Sequence, residues 1–403
     1  MEDIFVGRQP IFDTKLDVFA YELLFRSGDA NAANVTDGDT ATSDVILNAL
    51  TEIGMETLVG QHKAFINLTH NHIINMSDLP YPELKDKLVL EILEDIKAED
   101  SIVEAVTGLV KSGYTVALDD FIYHESLKPL VDVADIIKID LMAISKDELE
   151  QHVALLKDDK RKLLAEKVET QQEFEHCKEL GFDYFQGYFF SKPNIVKGQK
   201  LPTNKVAILE LLAKLQDPAV SDSELSKIIM QDVTMSVRVL RYINSAQFGL
   251  GKEIESIQQA IMMLGRTTIC NLANLVALSQ IQDKPHELLI ISLVRAKMSE
   301  IIADLANLDK NISFTVGLFS NLDSLMDQEM SVLVESLPLS DNIKLALLEK
   351  QGVLGEMLRS IIAYENCEWE EANFGAINST KIRDCFFEAL EWATTHSSLL
   401  RSS

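Results

Sequence analysis

Thr115-Val116-Ala117-Leu118-Asp119-Asp120 is a short apolar run of strand type that closes on two adjacent carboxylates. The same arrangement recurs on both sides of it. Leu88-Val89-Leu90 runs into Glu91, Asp135-Ile136-Ile137 into Lys138, Leu163-Leu164-Ala165 into Glu166, and Tyr184-Phe185 into Gln186. Upstream, Ala64-Phe65-Ile66 precedes Asn67, and Glu22 lies inside Phe19-Ala20-Tyr21-Glu22-Leu23-Leu24-Phe25-Arg26. From Asn67 onward the polar residues are spaced by 24, 28, 19, 28 and 20 positions, about one strand-plus-helix unit. A charged group inside an apolar strand is costly unless something pairs with it. Placed at the same point of successive units, such residues converge on one rim of a barrel, where barrels of this kind keep their chemistry.

Working outward, residues 4–190 alternate short β-branched or aromatic runs with longer helical patterns. Strands are expected at 4–12, 18–26, 64–69, 88–93, 115–121, 136–141, 162–168 and 184–190, with helices such as 43–59, 101–112 and 171–180 between them. Repeated strand-then-helix order argues for a parallel sheet, and about eight strands argue for closure. The first two strands are joined only by Asp13-Thr14-Lys15-Leu16-Asp17, too short for a crossover helix. One strand of the barrel is therefore expected to run antiparallel.

The strand pattern stops at Phe190. Ser191 to Thr203 contains Pro193, Gly198, Pro202 and three lysines and reads as a connection. The expected organisation is a barrel over 1–192, a linker over 193–202 and a helical domain over 203–395. The fold class is thus α/β plus all-α: a TIM-like (β/α)8 barrel with one antiparallel strand, then a helical bundle. Ser221-Asp222-Ser223-Glu224 and Ser256-Ile257-Gln258-Gln259 have capping-box form, and Gly265 closes the helix after the second. The apolar stripes of this half, Leu225, Ile228 and Ile229 among them, read as bundle core. The Ser-rich end reads as frayed.

The formal charge of −26 divides into −17 over residues 1–200 (20 basic, 37 acidic) and −9 over residues 201–403 (17 basic, 26 acidic). Neither half offers the basic field that duplex nucleic acid or an anionic membrane attracts. No run reaches the ~18 apolar residues of a membrane span, and Met1-Glu2-Asp3 does not open a signal peptide. Cys177, Cys270, Cys367 and Cys385 show no C-x-x-C spacing and read as reduced thiols of a cytoplasmic protein.

Taken singly, each strand-end residue is an ordinary solvated rim residue or helix cap. Taken together, Glu22, Asn67, Glu91, Asp119, Asp120 and Glu166 form an all-oxygen donor set, which suits Mg²⁺ or Mn²⁺ rather than zinc. Asp119-Asp120 offers the shared carboxylate that a pair of ions needs. Such pairs hydrolyse phosphodiesters by holding the attacking and leaving oxygens, and Lys138 lies among these acids.

These residues resemble the EAL family of cyclic-di-GMP phosphodiesterases over about the first 190 positions. Its naming motif stands here as Glu22-Leu23-Leu24-Phe25-Arg26, with leucine in place of alanine. Asn67, Glu91 with Glu94, Asp119, Asp120, Lys138, Asp140, Glu166, Glu169 and Gln186-Gly187-Tyr188 fall where the family's other motifs lie. The resemblance implies that Glu22, Asn67, Glu91, Asp119, Asp120 and Glu166 ligate metal. It also implies that Lys138 holds the nucleophilic water, that Glu166 and Asp120 are catalytic with it as well as metal ligands, and that Arg26 and Gln186 meet the substrate. Two departures stand out. After Asp119-Asp120-Phe121 the family carries a glycine-bearing loop that couples dimerisation to metal binding, whereas this chain reads Ile122-Tyr123-His124-Glu125-Ser126-Leu127. The segment between Arg26 and Phe65 is also short. His124 reads either as a proton carrier or, more simply, as an exposed loop histidine. A homodimer is an expectation carried by the resemblance alone.

Residues 203–375 resemble the HDOD domain, a helical relative of HD-type phosphohydrolases, in Asp232–Ser245, Gln259–Gly265 and Gly317–Asp323. This half holds only His286 and His396, and the chain contains no His-Asp pair. Metal hydrolysis is excluded there on ligand count, leaving a regulatory or protein-partner module. Tyr364, Trp369 and Trp392 read as groove or core, and Arg238 and Arg241 as surface. Two functions are in view: a metal-dependent phosphodiesterase with a helical regulator, or a non-catalytic cyclic-di-GMP receptor or scaffold built on the same barrel.

Overall fold

The computed structural model describes residues 4–27, 53–68, 70–74, 84–93, 96–158, 160–194, 202–245 and 253–401. The chain divides into two compact units, residues 1–190 and 191–403.

The first unit is a closed barrel in the order β1 to β8: Ile4–Asp13, Val18–Ser27, Lys63–Leu68, Leu88–Ile92, Thr115–Leu118, Ile136–Asp140, Lys162–Glu166 and Tyr184–Gln186. β1 is antiparallel to both β2 and β8, and every other pair is parallel. The reversed strand expected from the short first connection is therefore β1. Around the barrel lie α1 (Met55–Val59), α2 (His70–Ile74), α3 (Asp100–Lys111), α4 (Lys128–Val131), α5 (Lys146–Leu156) and α6 (Gln171–Leu180). Most of the helix expected at 43–59 lies outside the described residues. α5 and α6 each begin at a capping box, Ser145 with Glu148 and Thr170 with Glu173, which satisfies amide groups the first turn leaves open.

Three strands end earlier than their apolar runs suggest. β5 stops at Leu118, β7 at Glu166 and β8 at Gln186, against expected ends of 121, 168 and 190. Just beyond each, one residue takes a positive φ: Asp120 (43°), Lys167 (55°) and Gly187 (144°). That turns the backbone off the ladder at the rim. After Gly187 the chain forms a 3₁₀ turn, Tyr188–Ser191, and Phe189 and Phe190 pack against Phe12.

The barrel is filled by an apolar layer of Ile11, Ala20, Phe65, Val89, Ala117, Ile136 and Leu164, with Phe19 and Tyr184 stacked beside it at 4.0 Å. This is a packed plug, not a pore.

The second unit is helical: α7 (Thr203–Gln216), α8 (Asp222–Gln231), α9 (Val233–Ile243), α10 (Ile257–Leu264), α11 (Arg266–Leu278), α12 (His286–Leu305), α13 (Lys310–Phe319), α14 (Leu322–Met326), α15 (Met330–Ser336), α16 (Asp341–Glu349), α17 (Gly352–Glu365) and α18 (Ser379–Arg401). Ser221 and Glu224 form the capping box expected for α8. At α10 the pattern is only half made: Ser256 caps the Gln259 amide, but the Gln259 side chain accepts from the Glu255 N–H instead. The expected frayed end is corrected, because α18 continues to Arg401 with His396 and Ser397 buried. Tyr364 and Trp369 are buried and in edge contact, so their core reading stands. No helix among the described residues is long and apolar enough to cross a membrane.

α12 is the axis of this unit. Arg295 on it makes paired bonds to Glu365 of α17 (3.0 and 2.8 Å) and another to Asn321 (2.6 Å). Gly317 of α13 lets the two backbones touch, since a Cβ there would lie 2.3 Å from the Arg295 carbonyl oxygen. Gly317→Ala is expected to destabilise the helical unit by about 3 kcal/mol, lowering its melting transition by roughly 6–12 °C, because backbone cannot yield as a side chain does. Calorimetry checks this, and an unchanged transition refutes the close packing.

Candidate active site

Side chains two apart on a strand share a face. Two residues beyond the plug members Ala20, Phe65, Val89, Ala117, Ile136 and Leu164 stand Glu22, Asn67, Glu91, Asp119, Lys138 and Glu166. The residues singled out in the sequence are thus the next layer of the same barrel interior, at the carboxyl ends of the parallel strands. In register Asn67 lies beside Glu91, whereas Glu91 lies level with Ala117 and Lys138 with Leu164, so the layer is staggered around the barrel as tilted strands require.

Lys138 is the centre. Its side chain is 0% exposed, with Nζ 2.5 Å from Glu91 Oε1, 2.6 Å from Asp119 Oδ1, 3.0 Å from Glu166 Oε1 and 3.7 Å from Glu22 Oε2. One ammonium faces four carboxylates, so the layer is short of positive charge. Burial alone would depress the Lys138 ammonium, but Glu91, Glu22, Glu166 and Asp119 hold its pKa well above the ordinary value. Burial, reinforced by Glu22, pushes Glu91 well above the carboxylate range. Burial likewise pushes Glu166 up to about 8, against the pull of Lys138.

Single oxygens of Glu22, Glu91 and Asp119 lie within 4.8 Å of one another, as do those of Asp119, Asp120 and Glu166. Asp119 belongs to both groups. Asn67 Oδ1, Glu91 Oε2, Glu166 Oε2 and Gln186 Oε1 are buried and find no hydrogen-bond donor among the described residues. Buried acceptors left without donors in a layer short of positive charge fit hard divalent cations.

Gln186 donates to Glu22 Oε2 (2.5 Å) and to Gln9 Oε1 (3.0 Å), fixing the β2–β1–β8 side of the layer. Arg26 is half-buried four residues beyond Glu22, outside both carboxylate groups. Asp120 is more open than the others, its side chain 39% exposed. His124 is exposed and caps the 3₁₀ turn Glu125–Leu127 by accepting the Ser126 amide at 3.3 Å. Glu169 is exposed, and Glu94 lies outside the described residues.

Two residues escaped the sequence reading. Gln9 joins the layer from β1, where reversal makes the inward polar residue precede the apolar Ile11 instead of following it; reading that strand backwards would have found it. Lys167 pairs with Asp140 and lies 3.7 Å from Asp120. Nothing periodic announces it, because its reach depends on a positive φ.

Comparison with known proteins bears on the whole chain. A model of the EAL domain matches residues 8–193 and one of the HDOD domain residues 201–332. The chain is 36% identical to the uncharacterized protein YuxH of Bacillus subtilis, over 96% of this chain and 98% of that one. The chain belongs to the EAL–HDOD family. This EAL–HDOD protein is also 35% identical to the cyclic di-GMP phosphodiesterase CdgJ of Vibrio cholerae, over 92% of this chain and 87% of that one. Among solved structures, an EAL domain protein of Listeria monocytogenes is 22% identical, with 47% of this chain and 87% of that chain covered and a TM-score of 0.37.

Proposed function

We infer that the barrel is a metal-dependent phosphodiesterase that opens cyclic-di-GMP to the linear dinucleotide, and that the helical unit is its regulatory or partner-binding module. The observation carrying this reading is the pair of carboxylate groups that share Asp119 around a buried lysine. The name of the Vibrio relative supports it.

Glu22, Asn67, Glu91 and Asp119 would hold one ion, and Asp119, Asp120 and Glu166 a second. Two such ions, Mg²⁺ or Mn²⁺, supply charge neutralisation of the phosphoryl oxygens and a water acidic enough to attack at neutral pH. Lys138 holds that water by an N–H donated from the floor of the site. Its aliphatic stem and the plug beneath exclude other water, which strengthens every charge interaction above. Glu166, 3.0 Å from Lys138, and Asp120, grouped with Glu166 and Asp119, bound the place of attack. Gln186 keeps Glu22 oriented, and Arg26, nearer the open end, pairs with a phosphate that the acidic rim would otherwise repel.

The test is turnover: the full chain, cyclic-di-GMP and Mn²⁺ or Mg²⁺, with the linear product read by chromatography. Glu22→Gln is expected to lose about 10²–10³-fold in kcat. Undiminished turnover in that variant refutes the site. The loop after Asp120 favours a second reading: it lacks glycine from Phe121 to Leu127 and exposes Ile122. Tight cyclic-di-GMP binding with no turnover in any metal would make the protein a receptor.

A further inference from the structure

Lys167 follows Glu166 directly. In a continuing strand its side chain would point away from the barrel interior. Its φ of 55° instead takes the backbone off the ladder, a conformation that non-glycine residues seldom adopt. Its ammonium then spans the rim to the end of β6, pairing with Asp140 Oδ2, and lies 3.7 Å from Asp120 Oδ1. Asp140 is a firm anchor: its other oxygen accepts the Met142 amide at 2.7 Å, and its side chain is only 11% exposed. The neighbouring carbonyl of Glu166 accepts from Leu141, so the β6 and β7 ends are tied together beneath the lysine.

The two carboxylate groups therefore differ. Among the described residues Lys138 is the one cation paired with Glu22, Glu91 and Asp119, whereas Asp120, in the second group, is paired with Lys167. We propose that Lys167 is a built-in counter-cation of the second metal position, partly neutralising Asp120 so that the second ion binds more weakly than the first. This rests on the metal reading given above. The second position then fills only when free divalent ion is plentiful, making the metal supply, and not the fold alone, what completes the site. Lys167 acts through Asp120, as a positioning residue.

The experiment is a Mn²⁺ titration of the full chain without nucleotide, free Mn²⁺ being read by electron paramagnetic resonance. The wild type is expected to bind two ions with separated constants. Lys167→Asn, which tolerates the left-handed backbone and removes the repulsion between ammonium and dication, is expected to tighten the second about tenfold and leave the first within threefold. Lys167→Gly, freer still at this φ, is expected to match it, and Lys167→Arg to match the wild type. Equal second constants in wild type and K167N overturn the proposal alone, as does K167R tightening like K167N. Absence of Mn²⁺ binding in wild type and K167N alike overturns the metal reading and this proposal together.

Discussion

Lys138→Met lowers the stability of the protein in chelator by about 3–5 kcal/mol, the cost of leaving buried charge without its partner. The four carboxylates around Nζ have no other buried cation among the described residues to turn to. Glu91 and Glu166, which burial already pushes above the carboxylate range, respond by taking up protons, so the loss is largest at high pH, where that uptake is hardest. Urea unfolding of the barrel with and without Mn²⁺ checks this. The rise in midpoint on adding Mn²⁺ is expected to be larger in K138M than in the wild type, since dications then replace the missing charge without meeting an ammonium. Turnover is expected to fall by about 10²–10⁴-fold even with metal restored, because the attacking water would lose the N–H that Lys138 is proposed to give it. A variant as stable as the wild type in chelator would show that Lys138 is not the counter-charge of this layer.

The second large effect needs no charge at all. A Cβ at Gly187 would lie 2.2 Å from the Val168 carbonyl oxygen and 2.5 Å from its amide nitrogen, at a φ of 144° that side chains avoid. Val168 also donates to the Gln186 carbonyl and accepts from the Phe189 amide, so neither backbone can retreat alone. Gly187→Ala is expected to cost about 3 kcal/mol or more, from overpacking and backbone strain together. Gln186 stands one residue away, so the damage reaches the site. Hydrogen exchange at β8 and the binding of Mn²⁺ both report it, and native exchange rates in the variant would refute the argument.

The barrel was readable because its two periods are strong: alternation of two along each strand, and a repeat of about one strand plus helix between them. The reversal of β1 followed from a connection too short to cross over. The ends of β5, β7 and β8 were not readable, because apolar residues resume at Phe121, at Val168 and at Phe189 and Phe190, past the pair of residues at which the backbone has already turned. Hydrophobic pattern records burial, and those residues are buried whether or not they stay in the ladder. The same limit hid Lys167, whose role comes from a dihedral angle, and Gln9, whose strand reads in the opposite sense. In the helical half, α18 was cut short because Ser397 and Ser398 resemble a tail, although the helix is held there by the burial of His396.

The direction of β1 has a practical side. Ile4 pairs with Ser27, at the end of β2 that carries Arg26, so the first strand begins at the mouth and runs down to the floor. Whatever is joined ahead of Ile4, whether an affinity tag or a sensory domain, is released beside the entrance that substrate must use. For this barrel an amino-terminal fusion is a potential gatekeeper, and assays of the free enzyme are best run on protein without one.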